Sequence, residues 1–160
     1  MTAIKFYKMA HVLYLKHIPI LPKILYRLIY FVNNCHVHYA TEIGEGTTLA
    51  YGGIGVVIHK DAVIGKNCVI ESNVTIGGRN SNPKVPVIGD NVFIGTGARV
   101  LGDVHVGNNS IIGANAVVIR DVPDNCSVAG VPAKILHENI NIYDKCNLKE
   151  IVRRTEEYYG

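Results

Sequence analysis

The sequence repeats with a period of six residues, and this period excludes most folds. The period is clearest over residues 62–79, which read AVIGKN, CVIESN and VTIGGR. An α-helix would rotate such an apolar stripe off its axis within two blocks, so the repeat is not helical. The same frame gives thirteen blocks with an aliphatic third residue and a first residue that is small, β-branched or proline: 35–40, 41–46, 47–52, 56–61, 62–67, 68–73, 74–79, 86–91, 92–97, 98–103, 104–109, 110–115 and 116–121.

A six-residue period fits a short strand followed by a turn. The third residue would point inward, and the fourth, which is Gly in seven blocks, would supply the positive φ needed at a corner. Such units stack into a solenoid, in which each buries its inner face against its neighbours. Three blocks would close one triangular coil, so each block is expected to lie on the block three further along. We therefore predict an all-β solenoid, a prism of about four coils whose parallel ladders are spaced about 4.8 Å apart.

Two segments, residues 53–55 and 80–85, break the period. A regular solenoid has no structural need for either, so we expect function to be inserted there. The chain divides into an N-terminal helical segment 1–34, a solenoid domain 35–134 with the inserted loop 80–85, and a C-terminal tail and helix 135–160. We expect helices over 4–17 and 22–33, and a closing helix over 147–159 with Asn147 as its cap.

Charge and composition restrict the class of partner. The net charge is +3, and residues 1–41 carry five bases and no acid. A basic patch confined to an apolar N-terminus argues against a nucleic-acid partner. We expect these helices to cap the first coil or to pack on a neighbouring subunit, with contact to a membrane surface as the alternative. The four cysteines form no CxxC pair and no secretory signal is visible, which predicts a reduced, cytoplasmic protein without structural zinc.

Five segments between residues 55 and 136 carry a resemblance to a known family: VVIHKDAVIG, NVTIGG, VPVIGDNVFIGTGARVLGDVHVG, IGANAVVIRDVP and AGVPAKIL. They resemble the hexapeptide-repeat acyltransferases, in particular the serine acetyltransferases and the related polysaccharide O-acetyltransferases. The resemblance implies a left-handed parallel β-helix and a homotrimer that binds acetyl-CoA between adjacent prisms. The left hand rests on the resemblance alone, because the general rule for parallel crossovers favours the right hand.

The resemblance also implies which residues meet acetyl-CoA, and it implies no metal ion. Backbone groups at the small corners would hold the pantetheine arm, and a basic residue of the AGVPAK segment would meet the phosphates or the adenine. Small residues at turns leave room for a thin ligand and offer free N–H groups. The implied residues are Gly77, Gly78, Gly95, Thr96, Gly97, Ala98, Gly113, Ala114, Asn115 and Lys134.

The two histidines that the family pattern requires are missing. Serine acetyltransferases carry an Asp-His pair before the first interruption, where this chain has Ala50 and Tyr51. They carry His-Pro-Lys at the end of the inserted loop, where it has Asn82-Pro83-Lys84, or Val85 if the alignment is made from the following block. Acyl transfer to a hydroxyl still needs a general base, a role that suits His near neutral pH. Tyr51 is a catalytic candidate that would orient the acceptor or the base.

His59 is the best candidate for the base. It takes the Gly position of its block, and counting one coil down and one coil up gives the column His38, His59, Gly77. The glycine would leave space above His59, and loop 80–85 leaves the prism at that corner, where it could roof the space. Glu71 also takes a Gly position, and we expect it to be a solvated corner residue.

The leading interpretation is an acetyl-CoA-dependent O-acetyltransferase in which His59 deprotonates a hydroxyl that attacks the thioester directly. L-serine is the first acceptor that the resemblance implies. A sugar hydroxyl of a polysaccharide precursor is the alternative, favoured by the missing histidines and by the short, basic N-terminus. Remoter alternatives are a metal hydratase like the γ-type carbonic anhydrases, which needs three converging histidines on zinc, and a non-catalytic scaffold.

Overall fold

A computed structural model describes residues 2–79, 83–148, 150–151 and 153–154. Its centre is a parallel β-solenoid of about four turns with three faces, as the period predicts. The first face stacks β1 (His36–Val37), β4 (Val57–Ile58), β7 (Thr75–Gly77), β10 (Arg99–Leu101) and β13 (Val117–Val118). The second face stacks β2 (Glu42–Ile43), β5 (Val63–Ile64), β8 (Val87–Ile88) and β11 (His105–Val106). The third face stacks β3 (Thr48–Leu49), β6 (Val69–Ile70), β9 (Phe93–Ile94), β12 (Ile111–Ile112) and β14 (Ser127–Ala129).

Each block lies on the block three further along, as the sequence predicts. On the first face Val37 pairs with Ile58, Ile58 pairs with Ile76, and the ladder continues through Val100 to Val118. The first residues of all thirteen blocks are buried, and so are the third residues, except that Ile43 is half-buried. These side chains form the core inside the prism.

The corner turns are built differently from the prediction. The fourth-position glycines do not take a positive φ; the positive φ falls on the sixth residue of the block, at Gly46, Asn67, Asn73, Asn91, Gly97, Asn109 and Asn115. That angle belongs to the second central residue of a type II turn, where Gly and Asn are tolerated. The fourth residue is Gly because the next coil is close: a Cβ on Gly65 would lie 2.4 Å from the carbonyl oxygen of Gly89.

Two helices, α1 (Ala3–Leu15) and α2 (Leu21–Asn33), pack on each other and cover the first coil, α1 against β3 and α2 against β1. Tyr7 is 2% exposed, and its hydroxyl donates to the carbonyl of Thr41. Burial raises the pKa of Tyr7 to about 12. His11 lies 2.8 Å from the carbonyl oxygen of Tyr39 through Nδ1. The inner faces of the helices therefore cap the first coil, as the sequence predicts.

The interruption at 53–55 has a structural role that the sequence does not reveal. The chain forms a short 3-10 turn, η1 (Ala50–Gly53), against α1. Gly53 has a φ of 87°, and a Cβ there would lie 3.0 Å from the Cβ of Ala3 and 3.2 Å from the Sγ of Cys35. This interruption therefore packs against the docked helix, and the expectation of an inserted function at 53–55 stays a prediction.

At the far end the coil continues through Val122, which bridges to Val106, and then β15 (Lys134–His137) turns back antiparallel to β14. A short helix, α3 (Ile142–Lys145), packs over the third face. Residues 148, 150–151 and 153–154 are helical, and the Glu150 N–H donates to the Asn147 side chain at 3.2 Å. The predicted cap is thereby confirmed, and the remainder of the predicted 147–159 helix lies outside the described residues.

Candidate functional site

The predicted site residues lie on two different corners of the prism. The histidine corner follows the first face and comprises residues 38–40, 59–61 and 77–79. The glycine corner follows the third face and comprises residues 50–52, 71–73, 95–97 and 113–115. His59 is therefore not adjacent, within one chain, to the turns at residues 95–98 and 113–115 that were predicted to hold acetyl-CoA, whereas Gly77 and Gly78 of that prediction share its corner. Tyr51, in contrast, lies on the same corner as those turns.

At the histidine corner, His59 and His38 have the same local geometry. Nδ1 of each ring accepts a hydrogen bond from the backbone N–H two residues on, at 3.2 Å from Asp61 and 3.1 Å from Ala40. The His59 N–H donates to the carbonyl of Ile76 one coil up at 2.9 Å, and the His59 side chain is 40% exposed. A Cβ on Gly77 would meet nothing within 4 Å. The space predicted above His59 is thus present.

This hydrogen bond determines where the imidazole of His59 carries its proton. Because Nδ1 accepts, the neutral ring has its proton on Nε2, which can then donate but not accept. The Asp61 carboxylate lies 3.7 Å from Nδ1. A tautomeric change that moved this proton to Nδ1, with rotation of the ring toward the Asp61 carboxylate, would leave the Nε2 lone pair free to act as a base. The hydrogen bond from Lys60 holds the pKa of Asp61 below its usual value, so the carboxylate is ionised.

Aromatic rings adjoin the histidine corner on its N-terminal side. The Tyr26 ring centroid lies 5.2 Å from that of His38 and 5.3 Å from that of His36. Burial lowers the pKa of His38, and the neighbouring charge of Lys60 lowers it further. A groove of about 370 Å³ opens beside these rings, lined by Tyr26, Arg27, Tyr30, Phe31 and His36.

Apart from the histidines, the groups considered for chemistry in the described part of the chain are the cysteine thiols and clusters of metal-ligating side chains. Burial raises the pKa of Cys35 to about 12 and that of Cys68 to about 11, and both thiols fill inward slots of the solenoid. Across the described residues, three or more His, Cys, Asp or Glu side chains do not converge on any point where they could hold a metal ion.

Two successive turns of the glycine corner, residues 95–98 and 113–116, are stacked type II turns. In residues 95–98 the Ala98 N–H donates to the Gly95 carbonyl at 3.1 Å and Gly97 has a φ of 74°. Residues 113–116 form the same turn one coil further on. A Cβ on Gly95 would lie 2.7 Å from the backbone nitrogen of Ala114, and one on Gly113 would lie 2.9 Å from the Cβ of Ala129. Close stacking alone therefore accounts for these two glycines.

Only part of the predicted backbone contact set is available to a ligand. The N–H groups of Gly95, Gly97, Ala98, Gly113 and Asn115 donate to carbonyls of the solenoid. Within the described residues, those of Thr96 and Ala114 have no such acceptor, and both residues are exposed at the tip of their turns. They occupy the same turn position in successive coils. Two free N–H groups are thus stacked about 4.8 Å apart along the corner.

Lys134 lies at the far end of the glycine corner. It pairs with Ala129, which stands over Gly113 in the stack, and its side chain is exposed. A cation thus follows the two free N–H groups along the same edge of the prism. Gly78 lies instead on the histidine corner beside Gly77, where a Cβ would only touch Val85 at 4.0 Å.

Glu71 lies at the near end of the glycine corner, and the expectation that it is a solvated residue is wrong. It is half-buried, one coil above Ala50, and burial raises the pKa of its carboxyl. The Thr96 hydroxyl donates to Glu71 Oε2 at 3.3 Å. The six-residue period alone places this carboxyl in the column of Ala50, Gly95 and Gly113, so counting by three blocks along the sequence could have identified it.

Tyr51 lies beside that column at the start of the corner. It takes a left-handed conformation, with φ 52° and ψ 35°, inside η1. The residue is 50% exposed. Asn82, the position of the family's second histidine, lies outside the described residues, while Lys84 is ion-paired with Asp103 at 2.9 Å.

Comparisons with known proteins agree with this architecture. Residues 86–120 match the family model described as bacterial transferase hexapeptide (six repeats), which agrees with the stacked six-residue turns of the solenoid. The chain is 36% identical over 135 residues to the serine acetyltransferase of Synechococcus elongatus, covering 83% of this chain and 55% of that one. It is 35% identical over 132 residues to that of Helicobacter pylori strain J99, covering 81% of this chain and 77% of the relative. The chain belongs to the serine acetyltransferase family.

Solved structures give the same result. The crystal structure of the serine acetyltransferase of Brucella abortus in complex with coenzyme A superposes with a TM-score of 0.80 at 36% identity. The match covers 85% of this chain and 55% of that chain. The chain thus spans about half the length of several of the relatives it matches.

Proposed function

We propose that this protein is an acetyl-CoA-dependent O-acetyltransferase that acetylates L-serine. The observation that carries the proposal is the order of groups along the glycine corner. Lys134 stands at one end, the free N–H groups of Thr96 and Ala114 follow, and Glu71 and Tyr51 stand at the other end. The corner thus presents a cation, then two amide donors, then polar groups that could bind an acceptor. Acetyl-CoA presents its phosphates, its pantetheine arm and its thioester in the same order.

The base comes from the neighbouring subunit in this proposal. A cyclic trimer uses a heterologous interface, in which two different surfaces of the chain meet. Opposing the histidine corner of one chain to the glycine corner of the next would bring His59 to the thioester end. Each site would then combine residues of two chains, and the protein would act as a homotrimer.

The reaction is a direct transfer. The hydroxyl oxygen of the acceptor attacks the thioester carbonyl carbon while His59 Nε2 takes the hydroxyl proton, with Nδ1–H held by Asp61. The C–S bond then breaks, and the coenzyme thiolate takes up the proton from His59. The products are the O-acetylated acceptor and free coenzyme A.

Glu71 supports an amino acid as the acceptor. L-serine carries an ammonium group next to its hydroxymethyl arm, and a half-buried carboxylate at the thioester end would pair with it by a charge-assisted hydrogen bond. Ionisation of Glu71 costs free energy in the empty site because burial raises its pKa. A bound ammonium ion would offset that cost, which favours a cationic acceptor over a neutral one.

A sugar hydroxyl is the second candidate, and one observation favours it. The groove lined by Tyr26, Tyr30 and Phe31 adjoins the histidine corner, and exposed aromatic rings suit the apolar faces of a sugar. The Asp-His pair of the family is also replaced here by Ala50 and Tyr51.

Thiol release from acetyl-CoA tests the proposal. With L-serine as sole acceptor, we expect release well above a control without acceptor. Release with a panel of sugars but not with serine would select the second candidate. Absence of acetyl-CoA binding, measured by calorimetry, would overturn both.

Mixed trimers test the shared site. Coexpression of His59→Ala and Glu71→Ala chains at equal levels should give trimers in which about a quarter of the interfaces join two unaltered corners. We therefore expect about a quarter of the wild-type activity, although each variant alone is impaired. If both groups acted from one chain, every site would lack one of them and no activity would return.

A further inference from the structure

Exposed apolar residues are concentrated on the N-terminal helices. Of the 21 large hydrophobic residues that are exposed in the described part of the chain, 12 lie between residues 9 and 32. The two helices cap the first coil with their inner faces only. Their outer surface is therefore much more apolar than the rest of the molecule.

The exposed residues of α2 form one continuous stripe. Its buried face consists of Pro22, Leu25 and Ile29, which point toward the protein. The adjoining side presents apolar residues at helical spacing, with exposed fractions from 40% at Leu28 to 79% at Phe31. This outer stripe comprises Ile20, Leu21, Ile24, Leu28, Phe31 and Val32.

Basic residues border the outer stripe. Lys23 and Arg27 are exposed on α2 beside it, and Lys8 and Lys16 are exposed on α1. Residues 1–41 contain no acid, so this surface carries one sign of charge. Among the described residues, the helices are too short and too polar for any of them to cross a bilayer.

We propose that the outer surface of α1 and α2 binds the face of an anionic lipid bilayer. A helix with a large apolar sector and a basic polar edge lies in the plane of the interface, with its apolar face buried about 5–10 Å into the headgroup and acyl boundary. Lys23 and Arg27 would meet lipid phosphates, while Phe31 and Ile24 enter the acyl region. Tyr30 suits the headgroup level, where amphipathic rings collect.

The charge decides between a bilayer and a second copy of the chain. Two copies that met through the outer stripe would bring two surfaces with bases and no acids against each other, and like charges at an interface disfavour association. An anionic bilayer attracts each Lys or Arg near its surface. The same residues thus oppose self-association and favour lipid.

Vesicle sedimentation of the full chain tests the proposal independently of any enzymatic activity. We expect the protein to sediment with vesicles of phosphatidylglycerol and phosphatidylcholine in low salt, and to remain in solution with phosphatidylcholine alone. High salt should release part of the bound protein because it screens the basic residues. Failure to bind the anionic vesicles in low salt would overturn the proposal.

Two variants and a matched control assign the binding to this surface. Lys23→Glu with Arg27→Glu should weaken binding about 30-fold or more. Ile24→Ser with Phe31→Ser should weaken it while leaving the charge unchanged. Lys66→Glu with Lys145→Glu makes the same charge change at exposed positions elsewhere and should retain binding.

If the Lys66→Glu, Lys145→Glu control lost vesicle binding to the same extent, net charge alone would account for the binding and the proposal would be wrong. The proposal would also be wrong if analytical ultracentrifugation gave a larger assembly for the wild type than for the Ile24→Ser, Phe31→Ser variant. A second copy of the chain would then cover the stripe.

Discussion

The histidine corner and the glycine corner belong to the same solenoid but are built on different principles. The glycine corner contains a regular stack of type II turns at residues 95–98 and 113–116, and what these turns present to solvent is backbone: the N–H groups of Thr96 and Ala114. The histidine corner breaks the pattern with imidazoles and with open space at Gly77. Regular turns suit a ligand with repeated amide groups, whereas the irregular corner offers side chains that can move a proton. Binding and proton transfer are therefore separable by mutation.

The largest expected effect on activity comes from a substitution at the histidine corner. His59→Ala should lower kcat about 10²–10⁴-fold, because the acceptor hydroxyl loses its base. His105→Ala alters an exposed histidine on the second face and should leave kcat unchanged. Thiol release under saturating substrates measures both. An unchanged rate in His59→Ala would remove this residue from the mechanism.

A matched pair of glycine substitutions compares the corners directly. Gly95→Ala places a Cβ 2.7 Å from a backbone nitrogen, so we expect a loss of about 1–3 kcal/mol in the free energy of unfolding. Gly77→Ala meets nothing within 4 Å and should leave the Tm unchanged while lowering activity, because the methyl occupies the space above His59. Thermal melts and activity assays separate the two. Equal loss of Tm would contradict the distinction.

Glu71→Gln sharpens the assignment of the acceptor. Removing the carboxylate charge should raise the KM for L-serine about tenfold or more, with a smaller change in kcat, because a charge-assisted hydrogen bond is lost. A sugar acceptor would show no such change in KM. If instead kcat fell at constant KM, Glu71 would be the base and the roles of the corners would be exchanged.

Ala114→Pro removes one backbone N–H from the glycine corner and keeps the type II conformation of its turn. Position 114 is the first central residue of a type II turn, where Pro is favoured. We expect the Kd for coenzyme A, measured by calorimetry, to rise about fivefold. Glu45→Pro changes the equivalent residue of the turn after the second face, and its Kd should match the wild type.

The smallest effect concerns stability and pH. Burial raises the pKa of Glu71 in the folded state, so the protonated form is favoured there and stability is lost as pH rises through that pKa. Glu71→Gln stays neutral and avoids this loss. Its Tm should exceed that of the wild type by a few degrees near pH 7 and equal it near about pH 4. A constant difference across that range would assign the effect to packing.

Much of this architecture can be predicted from the sequence because the period fixes the stacking. Once each block lies on the block three further along, the columns of Val37 and of His59 follow by counting. The positive φ could not be assigned that way, because both the fourth and the sixth residues of the blocks include residues that tolerate it. Contacts with segments outside the repeat could not be predicted from the period either. Gly53 must be glycine because helix α1 lies against it, and Glu71 is half-buried at a corner where the period alone predicts exposure to solvent.

Each end of the solenoid carries a segment that covers part of its terminal coil, and this has a consequence for how such a chain can misassemble. A stack of parallel strands exposes unpaired N–H and C=O groups at each end and could grow by adding another molecule. Helices α1 and α2 cover the first coil, while β15 opposes β14 in the antiparallel sense and cannot continue the parallel register. Helices α1 and α2 at one end and the antiparallel strand β15 at the other thus oppose the end-to-end addition of further molecules that would build a fibril.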